Sequence, residues 1–215
     1  MGKKIAIYGA GTIGACQATL TSGNGYSTVV IGHSEEGLSR CRNTMLQNWN
    51  NLIAQKLATA ANRRAAMDLV TITNDVSALR DCDIVFEAVS EDVNIKQRVY
   101  SIITEVCGRD IIVVSTTSSI DAAILAEKIE NPARFLIAHP FPPVHMLPLV
   151  EVVRHTETSE ETLNQVCTLL KDLNRQVVML NRSVPGFLVN RFAQALFRES
   201  IYLIEQGITT AADID

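Results

Sequence analysis

A glycine-rich turn, Gly9-Ala10-Gly11-Thr12-Ile13-Gly14, follows an apolar run at residues 4–8 and opens a helical stretch at 12–22. A second apolar run follows at 27–31, after Gly23-Asn24-Gly25 stops the helix. Strand, glycine turn, helix and strand in so short a span form a βαβ unit. In that context Gly9 permits a tight turn, Gly11 lets backbone approach a pyrophosphate, and Gly14 allows helix to press on strand. Thr12 and Ile13 then begin a helix whose unpaired N–H groups face the phosphates. The turn predicts a dinucleotide site.

Alternation continues beyond it. Helices are expected at 35–55, 59–67, 92–107, 121–130 and 159–173, and strands at 83–88, 111–115, 135–139, 149–153 and 176–180. Leu38, Cys41, Met45, Trp49 and Leu52 recur at helical spacing, which places Trp49 in the core. The rhythm predicts an α/β fold of the Rossmann type: a doubly wound, mostly parallel sheet over residues 1–183. Residues 184–215 read as the start of an all-helical domain for substrate and dimerisation, a domain that the chain leaves cut. There Pro185 and Gly207 bracket a helix at 185–206 that is apolar on more than one face, and Thr210 with Asp213 suggests a capping box for another. A helix of that kind pairs with a second chain or leaves an apolar patch exposed.

Composition excludes several classes. A formal net charge of -4, without basic clusters, argues against nucleic acid as a partner. No apolar stretch approaches the roughly 18–20 residues that span a bilayer, and the Met1-Gly2-Lys3-Lys4 start has no signal-peptide pattern, so no membrane partner is expected. Five cysteines without CxxC spacing imply reduced thiols, a cytoplasmic protein and no metal site.

Strand ends carry the chemistry in such folds. Three are suggestive: Glu87-Ala88-Val89-Ser90-Glu91, Ser115-Thr116-Thr117-Ser118-Ser119 and Ala138-His139-Pro140. Thr117 and Ser119 fit local capping best; for Ser118 capping and function are evenly matched. His139 precedes Glu151 on the next strand, and an imidazole with an acidic partner beside a dinucleotide is the equipment for alcohol oxidation. The acidic residue expected about 20 residues past the glycines, which would accept from the ribose 2′-OH, is absent. Gly32-His33-Ser34 stands there, near Arg40 and Arg42. NAD is the expected cofactor, with NADP left open. His145 and His155 suggest no role and read as surface or loop residues.

The glycine turn, the FEAVSEDVNIK segment, the TSS triplet, the His139…PLVEV run and the late PGFLVNR segment together resemble the 3-hydroxyacyl-CoA dehydrogenases. The His–Glu run, with Pro143 and Leu147-Pro148-Leu149, is most similar to the branch that contains lambda-crystallin (L-gulonate 3-dehydrogenase) and L-carnitine dehydrogenase, which oxidise small 3-hydroxy acids. The resemblance implies that His139 is the catalytic histidine, Glu151 its acidic partner, Ser118 the substrate-bonding serine and Asn190 the asparagine at the domain junction. It also implies that Ala88, Glu91, Lys96, Thr116 and His33 lie at the cofactor. The implied function is an NAD(P)-dependent dehydrogenase of 3-hydroxy acids or 3-hydroxyacyl-CoA, in fatty acid metabolism and acting as a homodimer. A dinucleotide-binding protein without turnover is the alternative. The sequence departs from the family's pattern where Thr116 and Pro142 replace asparagine.

Overall fold

A computed structural model describes residues 3–215; Met1 and Gly2, the start of the expected first domain, lie outside them. The strands are β1 (Lys4–Tyr8), β2 (Ser27–Ile31), β3 (Val70–Thr73), β4 (Ile84–Glu87), β5 (Ile112–Ser115), β6 (Phe135–Pro140), β7 (Leu149–Arg154) and β8 (Gln176–Leu180). The helices are α1 (Thr12–Gly23), α2 (Glu35–Ala54), α3 (Ala60–Asp68), α4 (Val93–Cys107), α5 (Ala122–Ala126), α6 (Glu160–Asp172), α7 (Val189–Glu205) and α8 (Ala211–Ile214). The eight strands form one sheet ordered β3-β2-β1-β4-β5-β6-β7-β8. Every pairing is parallel except β6 with β7.

The central strands are apolar on both faces because helices cover both, which burial of a parallel sheet requires. On one side Ile7, Val30 and Phe86 pack with Ala15 of α1, Met45 of α2 and Leu169 of α6. On the other, Ala6, Val85 and Val113 pack with Tyr100 and Ile103 of α4 and Leu125 of α5. Trp49 is buried, as its helical spacing predicts. The chain order reverses between β1 and β4, which opens a crevice beyond their carboxyl ends, with the glycine turn on one side and Ala88 on the other.

Several boundaries differ from the expectation. Strand β3 was not anticipated: Val70-Thr71-Ile72-Thr73 is short, and only its pairing with β2 makes it a strand. Helix α5 stops at Ala126, well before residue 130. Helix α7 begins at Val189 rather than at Pro185, because Gly186 and Phe187 take φ values of 75° and 50° that break helical geometry. Gly207 does close α7, with a φ of 66°. In α8 the Thr210 hydroxyl donates to the Asp213 carboxylate at 2.6 Å instead of accepting from the helix backbone, so the expected capping box does not form. No described helix is long and apolar enough to cross a membrane.

Candidate active site

The antiparallel β6–β7 pairing sets His139 directly opposite Glu151. Side chains opposite each other in such a pair share a face, and here they meet: His139 Nδ1 lies 2.8 Å from Glu151 Oε2. Both are buried, at 6% and 1% exposure. The other carboxylate oxygen, Oε1, accepts the backbone N–H groups of Leu188 and Val189, each at 2.9 Å. These are amides at the N-terminus of α7, where the helix dipole favours an anion. Glu151 thus accepts on Oε1 from two amides, and the tautomer that places N–H on Nδ1 is the one that can donate to Oε2. Nε2 remains for other chemistry.

The ring of His139 is fixed from two sides. Phe141 lies 4.5 Å away between centroids and Phe187 5.6 Å. Phe187 is fully buried and sits in the left-handed region, a conformation that costs a residue with a Cβ about 1–2 kcal/mol. Packing on the imidazole and the turn into α7 hold it there.

His139 borders a cavity of about 310 Å³ lined also by Ile13, Ala88, Glu91, Lys96, Thr116, Ser118 and Pro142. A neighbouring cavity of 220 Å³ is lined by Gly9, Gly11, His33, Arg40, Ala88 and Ser90. Ala88 borders both, so the two form successive parts of one crevice. Thr12 borders neither; it is the exposed first residue of α1. Gly14 lies beneath, where an added Cβ would fall 1.9 Å from the Gly9 carbonyl oxygen. A Cβ on Gly9 would fall 2.3 Å from the Ala88 carbonyl oxygen, whereas one on Gly11 would meet nothing within 4 Å. The turn is thus closed against its own protein and open above Gly11. That suits a backbone cradle for a pyrophosphate.

A buried charge cluster underlies the first cavity. Lys96 Nζ donates to Glu87 Oε1 at 2.8 Å and lies 3.2 Å from Glu91 Oε2. Glu87 also accepts from the Tyr100 hydroxyl and the Ser115 hydroxyl, each at 2.8 Å, and from the Val89 N–H at 2.9 Å. Burial, and then the Glu87 charge, push the Tyr100 phenol well above its usual pKa. Glu91 in turn accepts from the Thr117 hydroxyl at 2.6 Å and the Ser118 N–H at 2.8 Å. Burial would raise the Glu91 pKa, but Thr117, Lys96 and Ser118 together hold it below the ordinary carboxylate value. Asn190 Nδ2 donates to the Ser118 carbonyl at 3.0 Å, which ties the first turn of α7 to the same loop.

His139, Glu151, Ser118 and Asn190 thus converge, and Ala88, Glu91, Lys96, Thr116 and Ile13 line the adjoining cavity, with His33 at the glycine turn. Thr117 also accepts from the Ser119 and Ile120 amides, a local capping role alongside its bond to Glu91. His155 sits in a loop and accepts from the Glu157 N–H. His145 sits in the turn before β7, as a loop reading expects, but both ring nitrogens are buried with no partner among the described residues, and burial followed by the Arg175 charge lowers its pKa. The residues not foreseen in a role are Glu87, Tyr100, Phe187 and the Leu188 and Val189 amides. Glu87 had a signal, a carboxylate closing the otherwise apolar run Ile84-Val85-Phe86.

The family described as "3-hydroxyacyl-CoA dehydrogenase, NAD binding domain" matches residues 4–183. An L-carnitine dehydrogenase of Bacillus cereus is 31% identical over 214 residues, covering 99% of this chain and 64% of that relative. A 3-hydroxybutyryl-CoA dehydrogenase of Clostridioides difficile is 29% identical, with 99% and 75% covered. The crystal structure of an (S)-3-hydroxybutyryl-CoA dehydrogenase from Ralstonia eutropha superposes with a TM-score of 0.94 at 29% identity, over 99% of this chain and 75% of that one. The chain therefore spans less than two thirds of the B. cereus relative.

Proposed function

The chain belongs to the 3-hydroxyacyl-CoA dehydrogenase family through its NAD-binding domain, and from that premise we propose that it oxidises the 3-hydroxyl of a 3-hydroxy acid or 3-hydroxyacyl-CoA. The observation that carries this reading is the His139–Glu151 pair at the edge of a cavity continuous with the glycine turn. In it the Nε2 of His139 takes the hydroxyl proton as the alcohol becomes a carbonyl. Glu151 fixes the tautomer and stabilises the imidazolium, and the two α7 amides hold its carboxyl group in place. The nicotinamide supplies the two-electron acceptor. Ser118 orients the reacting oxygen from the cavity wall. Asn190 holds the Ser118 loop through its bond to the Ser118 carbonyl. Lys96 and Glu91 shape the cofactor side, and Thr116 lines it.

The small 3-hydroxy acids of the carnitine dehydrogenase branch are the favoured substrates, supported by the His139…PLVEV run. We further assign residues 184–215 to a helical segment that serves substrate binding and dimerisation. A homodimer through α7 is supported by its exposed Phe192, Leu196 and Phe197. A cytoplasmic place in fatty acid metabolism completes the proposal. Binding without turnover is the competing reading, and Pro142 on the cavity wall favours it, since proline has neither a side-chain donor nor an N–H.

Assays with a panel of 3-hydroxy acids and acyl-CoA thioesters, following reduced nicotinamide by absorbance, separate the two. His139→Ala is expected to lower kcat by about 10²–10⁴-fold while cofactor still binds. Unchanged turnover in that variant refutes the assignment, and tight binding with no turnover on the whole panel supports the competing reading.

A further inference from the structure

The adenosine end of the crevice is built differently from a site that selects for a free ribose 2′-hydroxyl. Such selection rests on a carboxylate at the end of the second strand, which accepts from the hydroxyl and repels a phosphate. Here β2 ends at Ile31 and is followed by Gly32, His33 and Ser34. A Cβ added to Gly32 would fall 2.5 Å from Leu38 Cδ2 and 2.9 Å from the Ala10 Cβ. A carboxylate side chain at that residue therefore has no seat unless Leu38 gives way. The cavity above the glycine turn is lined instead by His33 and Arg40, and no acidic residue lines it.

The nearby charges do not reverse this balance. Glu35 and Glu36, in the first turn of α2, are exposed and are not among the lining residues. Glu35 accepts from the Asn74 side chain, and Glu36 pairs with Arg40 one helical turn away. An exposed ion pair of this kind is worth little, so the guanidinium is free to turn to a stronger anion. Phosphate is such an anion, because it offers the paired oxygens that a guanidinium fork binds.

We propose that the adenosine pocket of this chain admits a 2′-phosphate on Arg40 and His33, so that the chain takes NADP(H) at least as readily as NAD(H). The inference rests on the dehydrogenase reading and concerns only which form of the dinucleotide is held. Fluorescence titration of the chain with NADH and with NADPH tests it without turnover. NADPH is expected to bind as tightly as NADH or more tightly. Arg40→Ala is expected to weaken NADPH about tenfold more than NADH. His33→Asp, which adds a carboxylate at the pocket, is expected to shift the preference toward NADH.

NADPH binding more than about tenfold weaker than NADH overturns the inference and leaves the dehydrogenase reading intact. Equal weakening of both cofactors by Arg40→Ala also overturns it, because Arg40 then does not meet the phosphate. A folded chain that binds neither dinucleotide fails both readings, and circular dichroism distinguishes that case from unfolding.

Discussion

Helices α1 and α7 both begin at the proposed active site, but they are held in opposite ways. Helix α1 is buried from Gly14 to Ser22 and lies between the sheet and α2. Its N-cap, Gly11, supplies no side-chain acceptor, so its first amides face the open space above the turn. Helix α7 has no buried residue along Val189–Glu205, with Phe192 and Leu196 exposed at 63% and 71%. Yet its N-terminus is occupied, because Glu151 reaches up from β7 and accepts the Leu188 and Val189 amides. One helix is fixed by its flank and leaves its end free for an anion from outside. The other is fixed by its end and leaves its flank free. The N-terminus of α1 is thus open to an anion from outside and that of α7 is a clamp, and a carboxylate of the chain itself at the second end makes the difference.

Glu151→Ala should have the largest effect on this contrast. It removes the acceptor of two helix amides and of the imidazole at once, and losing one member of a buried pair costs about 3–5 kcal/mol. Hydrogen exchange should accelerate at Leu188, Val189 and Asn190 while α1 stays protected; equal acceleration in α1 would mean that the two helices share one cooperative seat. Gly14→Ala strikes the other helix. Its Cβ would fall 1.9 Å from the Gly9 carbonyl oxygen, and overpacking of this kind costs about 1–3 kcal/mol. Chemical denaturation should show that loss together with weaker dinucleotide binding, and an unaltered midpoint would show that the turn and α1 part easily. Leu196→Ser, on the open flank of α7, should change the stability of the monomer by no more than about 0.5 kcal/mol. A further loss that grows on dilution is what the proposed homodimer through α7 predicts, and its absence counts against that dimer.

Legibility in the sequence followed the range of the interactions. The glycine turn, the βαβ unit and the alternation after it depend on local spacing, and they appear in the structure with small boundary shifts. Strand β3 failed that test because Val70-Thr71-Ile72-Thr73 carries only a short run, and its partner β2 lies before two helices. The start of α7 was misplaced because Pro185 signals a helix locally, while the left-handed Gly186 and Phe187 are imposed by packing of Phe187 at His139. His145 is in a loop, as its sequence suggests, and only the surrounding chain buries its ring nitrogens. The candidate site was partly legible: His139 and Glu151 were paired as residue types, and the β6–β7 register then set them opposite each other. Glu87 had no visible role, because Lys96, Tyr100 and Ser115 reach it from two other elements.

The order of the amino acids alone determined the glycine cradle, the covered parallel sheet and the absence of a carboxylate at Gly32-His33-Ser34, directly after β2, since each depends on which side chain is present and on its near neighbours. Folding decided the rest: that Glu151 carries a helix on one oxygen and an imidazole on the other, that Lys96 lies between two carboxylates, and that Arg40 and His33 border the same cavity. Hydrogen bonds and ion pairs act over a few ångströms, and only the folded chain brings such distant residues that close.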